Sequence, residues 1–271
     1  MVIDFHNHLL EESDYADKLV SAMDEAGIDQ TCISGLGIGK GKAGSWDSGA
    51  FSLGSLSPDN GDVEQAFRRF PDRLIGMGFV KLGRDGADKV QELADRGFQG
   101  LKACRPLYDY DHDACFPVYE RAEQLGMPIL FHTGVQLVTP FDKEDDVSCN
   151  RMRPIQIDRI ARNFPALRMV IAHMGMPWFE EAAEMCRFHK NVYTDFTGAI
   201  GGWSFRKKPG DFQNLLYWKD AFQKVVFGTD VHYNAIGEAA AYQKRLFGLL
   251  NLDARTTELI FQGNARALLG R

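Results

Sequence analysis

The chain has 271 residues, 45% of them hydrophobic and 25% charged, with a formal net charge of −6. That is the composition of a globular protein able to bury a large core. No basic block or long acidic tail is present, so nothing marks the chain for nucleic acid or an anionic membrane.

Eight short apolar runs predict strands: Val2–Phe5, Gln30–Ser34, Leu74–Val80, Phe98–Lys102, Pro128–Phe131, Leu167–Ala172, Asn191–Asp195 and Val225–Phe227. Helical periodicity fills the intervals. In Asp14–Ala26 the stripe is Leu19, Val20, Met23 and Ala26, with Gly27 placed to end the helix. Asp62–Phe70 stops at Pro71, Lys89–Arg96 at Gly97 and Pro117–Leu125 at Gly126. Pro154 opens a helix that Pro165 closes, and Trp178–Phe188, Asp211–Phe222 and Glu238–Leu250 follow. Strands that alternate with helices make a parallel sheet, and eight such units close a single (β/α)8 TIM barrel over residues 1–271. An open doubly wound sheet is the other arrangement of the same units.

In a barrel the C-terminal ends of the strands carry the active face. Run one is followed by His6 and His8, run four ends in Lys102, run five leads into His132, run six into His173 and run eight into Asp230. Residues i and i+2 of a strand point to the same side, so His6 and His8 can grip one ion. Alone, a His-x-His pair is a weak signal, because buried histidines are often hydrogen-bonded core residues. Four imidazoles and a carboxylate at one mouth form a nitrogen and oxygen set suited to Zn²⁺ and similar divalent cations. Without a metal, that many buried polar groups would be hard to satisfy.

Five scattered cysteines, Cys32, Cys104, Cys115, Cys149 and Cys186, include no Cys-x-x-Cys. They argue against a disulfide framework and a cysteine-type zinc site, and fit a reducing compartment. The N-terminus lacks a signal-peptide pattern, and no apolar run approaches the roughly 20 residues of a membrane span. The expectation is a cytoplasmic protein that binds a small molecule, but neither nucleic acid nor membrane.

The segments "DFHNH", "GLK", "FHTG", "AHMG" and "FGTD", with the closing "FQGNARALLG", resemble the amidohydrolase superfamily, specifically its amidohydrolase-related (amidohydrolase-2) branch, over residues 4–270. The resemblance implies that His6, His8, His132 and Asp230 are metal ligands. It implies that His173 and Asp230 act in catalysis, with His173 beside the activated water or the substrate. Lys102 matches a lysine that is carboxylated between two metals in binuclear members. One Zn²⁺ per chain is the expectation here, with two metals around a carboxylated Lys102 as the other arrangement. Members of the branch include lactonases and other hydrolases, decarboxylases and hydratases, and an oligomer is common. The leading expectation is therefore a metal-dependent hydrolase of a small carboxylated or cyclic (lactone or amide) substrate. A metal-dependent decarboxylase of an aromatic or unsaturated acid is the alternative, and a non-catalytic binding barrel ranks last.

Two long loops should choose the substrate. In the loop after strand two, Gly39, Gly41 and Gly44 match G-x-G-x-x-G, but no helix pattern opens after them, so a lid is the better reading. Lys40 and Lys42 on that loop could meet an anion or simply be solvated. Arg105, and Arg151 and Arg153 on the loop after strand five, are candidates to pair a substrate carboxylate, alongside Lys102. Trp203 and Phe205 are candidates for pocket walls, with packing of an irregular loop as the other reading.

Overall fold

The computed structural model describes residues 1–42 and 54–271. Eight parallel strands pair in sequence order: β1 (Ile3–His8), β2 (Gln30–Ser34), β3 (Leu74–Val80), β4 (Gly100–Ala103), β5 (Ile129–Phe131), β6 (Met169–Ile171), β7 (Val192–Asp195) and β8 (Val225–Val226). The ring closes where the Phe5 amide donates to the Phe227 carbonyl (2.9 Å) and the Asp230 amide to that of His6 (2.8 Å). The fold is thus the TIM barrel that the alternating pattern predicts, not the open sheet. Its interior is filled by side chains such as Ile3, Phe5, Ile75, Met77, Leu130 and Val170, all at most 1% exposed, so the barrel is a packed core with its chemistry at one rim.

Helices α1 (Tyr15–Ala26), α2 (Asn60–Arg69), α3 (Ala87–Asp95), α4 (Phe116–Leu125), α5 (Ile157–Asn163), α6 (Phe179–Phe188), α7 (Pro209–Leu215) and α8 (Ile236–Leu249) wrap the outside. The start of α2 shows why the chain turns there. The Asp59 side chain accepts from the Gly61 and Asp62 amides while Asp62 answers to the Asp59 amide, satisfying donors the helix itself cannot. Two short helices, α9 (Ala254–Glu258) and α10 (Asn264–Leu268), close the chain. Asn264 donates to the carbonyls of Gln223 (2.9 Å) and Val225 (2.7 Å), which ties the closing segment to β8.

The seventh helix is shorter than the periodicity predicts. It stops at Leu215, and the chain re-forms as a 3₁₀ turn at Ala221–Lys224 after Asp220 takes a left-handed conformation. The first strand is longer than predicted and includes His6 and His8 within it. Its register against β2 shifts between Asp4 and Asn7. Such an irregularity re-aims side chains where a regular ladder would fix them.

Candidate metal centre

The strand ends bring His6, His8, Lys102, His132, His173 and Asp230 together. The Asp230 carboxylate lies 3.3 Å from His8 Nε2, 3.7 Å from His6 Nε2 and 3.8 Å from His173 Nδ1. The His173 and His132 rings are 5.0 Å apart, and those of His6 and His8 5.5 Å. Lys102 Nζ stands 2.8 Å from His6 Nε2. His173 and Asp230 both hold left-handed backbone conformations (φ 59° and 49°), uncommon for residues with a Cβ. They lie just past β6 and β8, where the chain turns over the barrel rim. Gly134 makes a similar turn after His132 (φ 101°); a Cβ there would meet the Met176 carbonyl oxygen at 2.1 Å. The His132 and His173 loops therefore approach more closely than any side chain would permit.

The histidines are oriented from behind. His6 Nδ1 donates to Asp195 (2.8 Å) and His8 Nδ1 to the Ser34 carbonyl (3.2 Å), leaving both Nε2 lone pairs toward the mouth. The Thr197 hydroxyl donates to Asp195 (2.6 Å) and accepts from His173 Nδ1 (2.8 Å). Asp195 also accepts from the His173 amide (2.8 Å). Burial works against the Asp195 charge, but His6, His173 and Thr197 outweigh it and hold the carboxyl far below the usual range. Burial lowers the imidazoles, His6 to about 3 and His173 to about 4 with Asp195 pulling the other way, and His8 and His132 fall well below their usual value. Burial pushes Asp230 up to about 7, against the pull of Lys102.

Neutral imidazoles with inward lone pairs and a nearby carboxylate are what a divalent cation needs. One nitrogen and oxygen group, His6, His8 and Asp230, has its ligand atoms within 4.8 Å of one another. His132 Nε2 is buried with no hydrogen-bond partner among the described residues, an orphan that a metal would satisfy. The residues present fit the metal. Replacing Asp195 by asparagine removes the charge behind His6 and lowers metal affinity about 10- to 100-fold. Competition against a chelator measures this, and an unchanged affinity would remove Asp195 from the site.

Over the centre lies a cavity of about 340 Å³. Its wall is largely apolar, with Ile38, Leu56, Val135, Met176 and Trp203 facing Lys102, His8, His132, His173 and Asp230. Trp203 lines this cavity and donates Nε1 to the Thr197 carbonyl (2.8 Å). Phe205 does not line this cavity; it stacks on Tyr242 at 3.9 Å. None of the three candidate arginines lines it either. Arg105 is 2% exposed and turned to Asp142 (2.7 Å) and Asp145 (3.3 Å), Arg151 pairs with Asp146 (2.6 Å), and Arg153 pairs with Glu181. Arg151 pairs within its own loop, whereas Arg105 takes its carboxylates from the loop after β5 and Arg153 takes its from α6. Lys40 pairs with Asp59 and Asp62, and Lys42 with Glu144. Residues 43–53, with Gly44 of the glycine pattern and the centre of the expected lid, lie outside the described residues; Leu36, Ile38 and Leu56 from the flanks of that loop reach the cavity. The other three histidines are structural: His189 meets Asp158 (2.8 Å), His232 meets Glu12 (3.0 Å), and His112 accepts from the Ala114 amide (3.1 Å).

Sequence reasoning missed Asp195 and Thr197. Asp195 ends "VYTD" at a strand terminus just as Asp230 follows "FGT", and the rule that selected the histidines would have found it.

Eight parallel strands with these groups over their C-terminal ends place the chain among TIM barrels whose function sits at that face. The chain belongs to the Amidohydrolase family: the family model (Amidohydro_2) matches residues 3–271. No curated protein matches it. Among solved structures it is similar to an uncharacterized TIM-barrel protein of Bordetella bronchiseptica, at 21% identity and a TM-score of 0.70, covering 100% of this chain and 99% of that one. It is similar to a probable 2-pyrone-4,6-dicarboxylic acid hydrolase of Acinetobacter baumannii with bound citric acid (15%, TM-score 0.67, 100% and 99% covered). It is also similar to a dihydroxybenzoic acid decarboxylase of Polaromonas sp. with bound manganese and 2-nitroresorcinol (16%, TM-score 0.64, 99% and 96% covered). These likenesses show the fold. No helix among the described residues is long and apolar enough to cross a membrane.

Proposed function

We propose that the protein is a metal-dependent hydrolase of a small molecule bound at the barrel mouth, with His6, His8, His132 and Asp230 holding one divalent cation and Lys102 unmodified. A cation there would polarise a substrate carbonyl and lower the pKa of a water from 15.7 to about 7. Asp230 accepts the proton of the attacking water and passes it to the leaving group. His173, held by Thr197, faces the developing negative charge. Lys102 supplies a donor from β4. Asp195 keeps the His6 tautomer that leaves Nε2 unprotonated. The observation that carries this reading is the placing of Asp230: one carboxylate in reach of three imidazoles, where it can serve both the cation and a reacting proton. Zn²⁺ is the cation the donor set suits, and the structure of the Polaromonas decarboxylase holds manganese.

Decarboxylation is the second reading, favoured by the apolar wall of the cavity, which strips water from a substrate carboxylate. Asp230 in its protonated form then supplies the proton to carbon. The test is metal-loaded protein against a panel of lactones, amides, and aromatic and unsaturated acids, in ¹⁸O-labelled water. Hydrolysis puts label into the product and releases no CO₂. CO₂ release without label selects the second reading, and turnover that survives chelation ends both.

A further inference from the structure

A second cavity, of about 530 Å³, opens beside the first, and Leu36 and Ile38 line both. It sits at the ends of β2, β3 and β4, with the first turn of α2 at one side. Among the described residues, seven lysines and arginines line it against four carboxylates, those of Asp59, Asp85, Glu144 and Asp145, in a chain whose net charge is −6. A cleft with an excess of one sign of charge concentrates ligands of the other.

Most of these cations are already committed. Lys40, Lys42, Arg84, Lys89 and Arg96 each hydrogen-bond a carboxylate, and Arg105 is held by Asp142. Lys81, just past β3, is the exception. Its side chain is 8% exposed, and its amine makes no hydrogen bond among the described residues. The one carboxylate near it, Asp145, is 3.7 Å away, beyond hydrogen-bond reach. Its backbone is fixed, because the Lys81 amide donates to Asp85 (2.7 Å). Arg105 Nε and Nη1 also lack partners but are sealed from the cavity, whereas Lys81 Nζ is open to it.

Burial lowers the Lys81 amine, with Asp145 pulling the other way and Arg105 and Arg84 adding to the fall. A cation withdrawn from water without an acceptor is costly, and an anion in the cavity offsets that cost. The amine also selects the kind of anion. An ammonium is a compact point charge with rotatable donors, suited to a phosphate oxygen. The planar bidentate grip that favours a carboxylate needs a free guanidinium, and Arg84, Arg96 and Arg105 each already hold one.

We propose that this cavity is a phosphate-binding site centred on Lys81, separated from the metal centre by Leu36 and Ile38, and that its ligand is inorganic phosphate or a small phosphate monoester.

The test is a residue-resolved NMR titration of ¹⁵N-labelled, Zn²⁺-loaded protein with inorganic phosphate, glycerol 3-phosphate and malonate. A phosphate moves the amides of residues 79–85 and saturates below about 10 mM, while malonate needs at least about threefold more. Whichever phosphate binds more tightly distinguishes the free anion from the ester. The shifts persist after the metal is removed by dialysis. Lys81→Gln weakens phosphate binding at least about tenfold. Asp145→Asn, which removes the carboxylate facing the amine and leaves Arg105 its pair with Asp142, strengthens it at least about threefold; this variant decides the matter if Lys81→Gln does not fold. No saturable shift at residues 79–85, shifts that vanish with the metal, malonate binding as tightly as phosphate, an affinity unchanged in Lys81→Gln, or one that Asp145→Asn fails to raise would each overturn the proposal.

Discussion

Asp230→Asn leaves the barrel folded and lowers kcat/KM by at least about a thousandfold, roughly 4 kcal/mol of transition-state stabilisation. Asparagine is the replacement that isolates the chemistry. It matches aspartate in shape and tolerates the left-handed backbone (φ 49°) that residue 230 adopts. The hydrogen bond from the residue 230 amide to the His6 carbonyl (2.8 Å) is made by the backbone and survives. What is lost is the anionic oxygen that lies 3.3 Å from His8 Nε2, and with it a metal ligand and the proton carrier. With chelator present, the variant should unfold at a temperature no lower than the parent's, since burial of the Asp230 charge costs stability, which separates lost chemistry from lost fold. Activity near that of the parent would remove Asp230 from the role assigned to it.

The convergence of these side chains at the proposed metal centre was legible because it is written at strand ends. An apolar run followed by a polar side chain repeats around the barrel, and the fold converts that repetition in sequence into convergence in space. His6, His8, His132, His173 and Asp230 could all be found this way, although β1 runs through both of its histidines and shifts register beside them. The arginines could not. A sequence shows the charge of Arg105, Arg151 and Arg153 but not that Asp142, Asp146 and Glu181 fold back onto them. Ion pairing on long loops depends on tertiary approach that no local pattern encodes. The break after Leu215 escaped because apolar periodicity continues through Leu216 and Trp218 although the helix does not. Periodicity reports which face is buried, not whether the backbone remains regular.

The metal-free protein should be most stable at about pH 7 and lose stability steeply below it. The sign follows from which state binds more protons. His6, His8, His132 and His173 are held neutral by burial, while in the unfolded chain they take up protons below their ordinary value of about 6.5. Their contribution is complete above that value and is lost as the pH falls toward the folded-state values. Asp4 and Asp230 act in the opposite sense. Burial pushes both up to about 7, so the folded protein keeps protons that the unfolded chain releases, and this contribution is lost as the pH rises through 7. In the window between about pH 4.5 and 6 the four histidines outnumber the two carboxylates by two protons, a slope of about 3 kcal/mol per pH unit. Loading Zn²⁺ changes the upper side of the profile, because it must displace the Asp230 proton and so binds more tightly as the pH rises through 7. The gain in stability on adding metal, about 2.7 kcal/mol at a free concentration of 100 Kd, therefore shrinks at pH 5 for a fixed metal concentration and grows at pH 8. Urea unfolding at pH 5, 6, 7 and 8, with chelator and with Zn²⁺, measures both effects. A metal-free profile that is flat between pH 5 and 7 would mean that the imidazoles are solvated or already charged, and would break the link between their burial and metal binding.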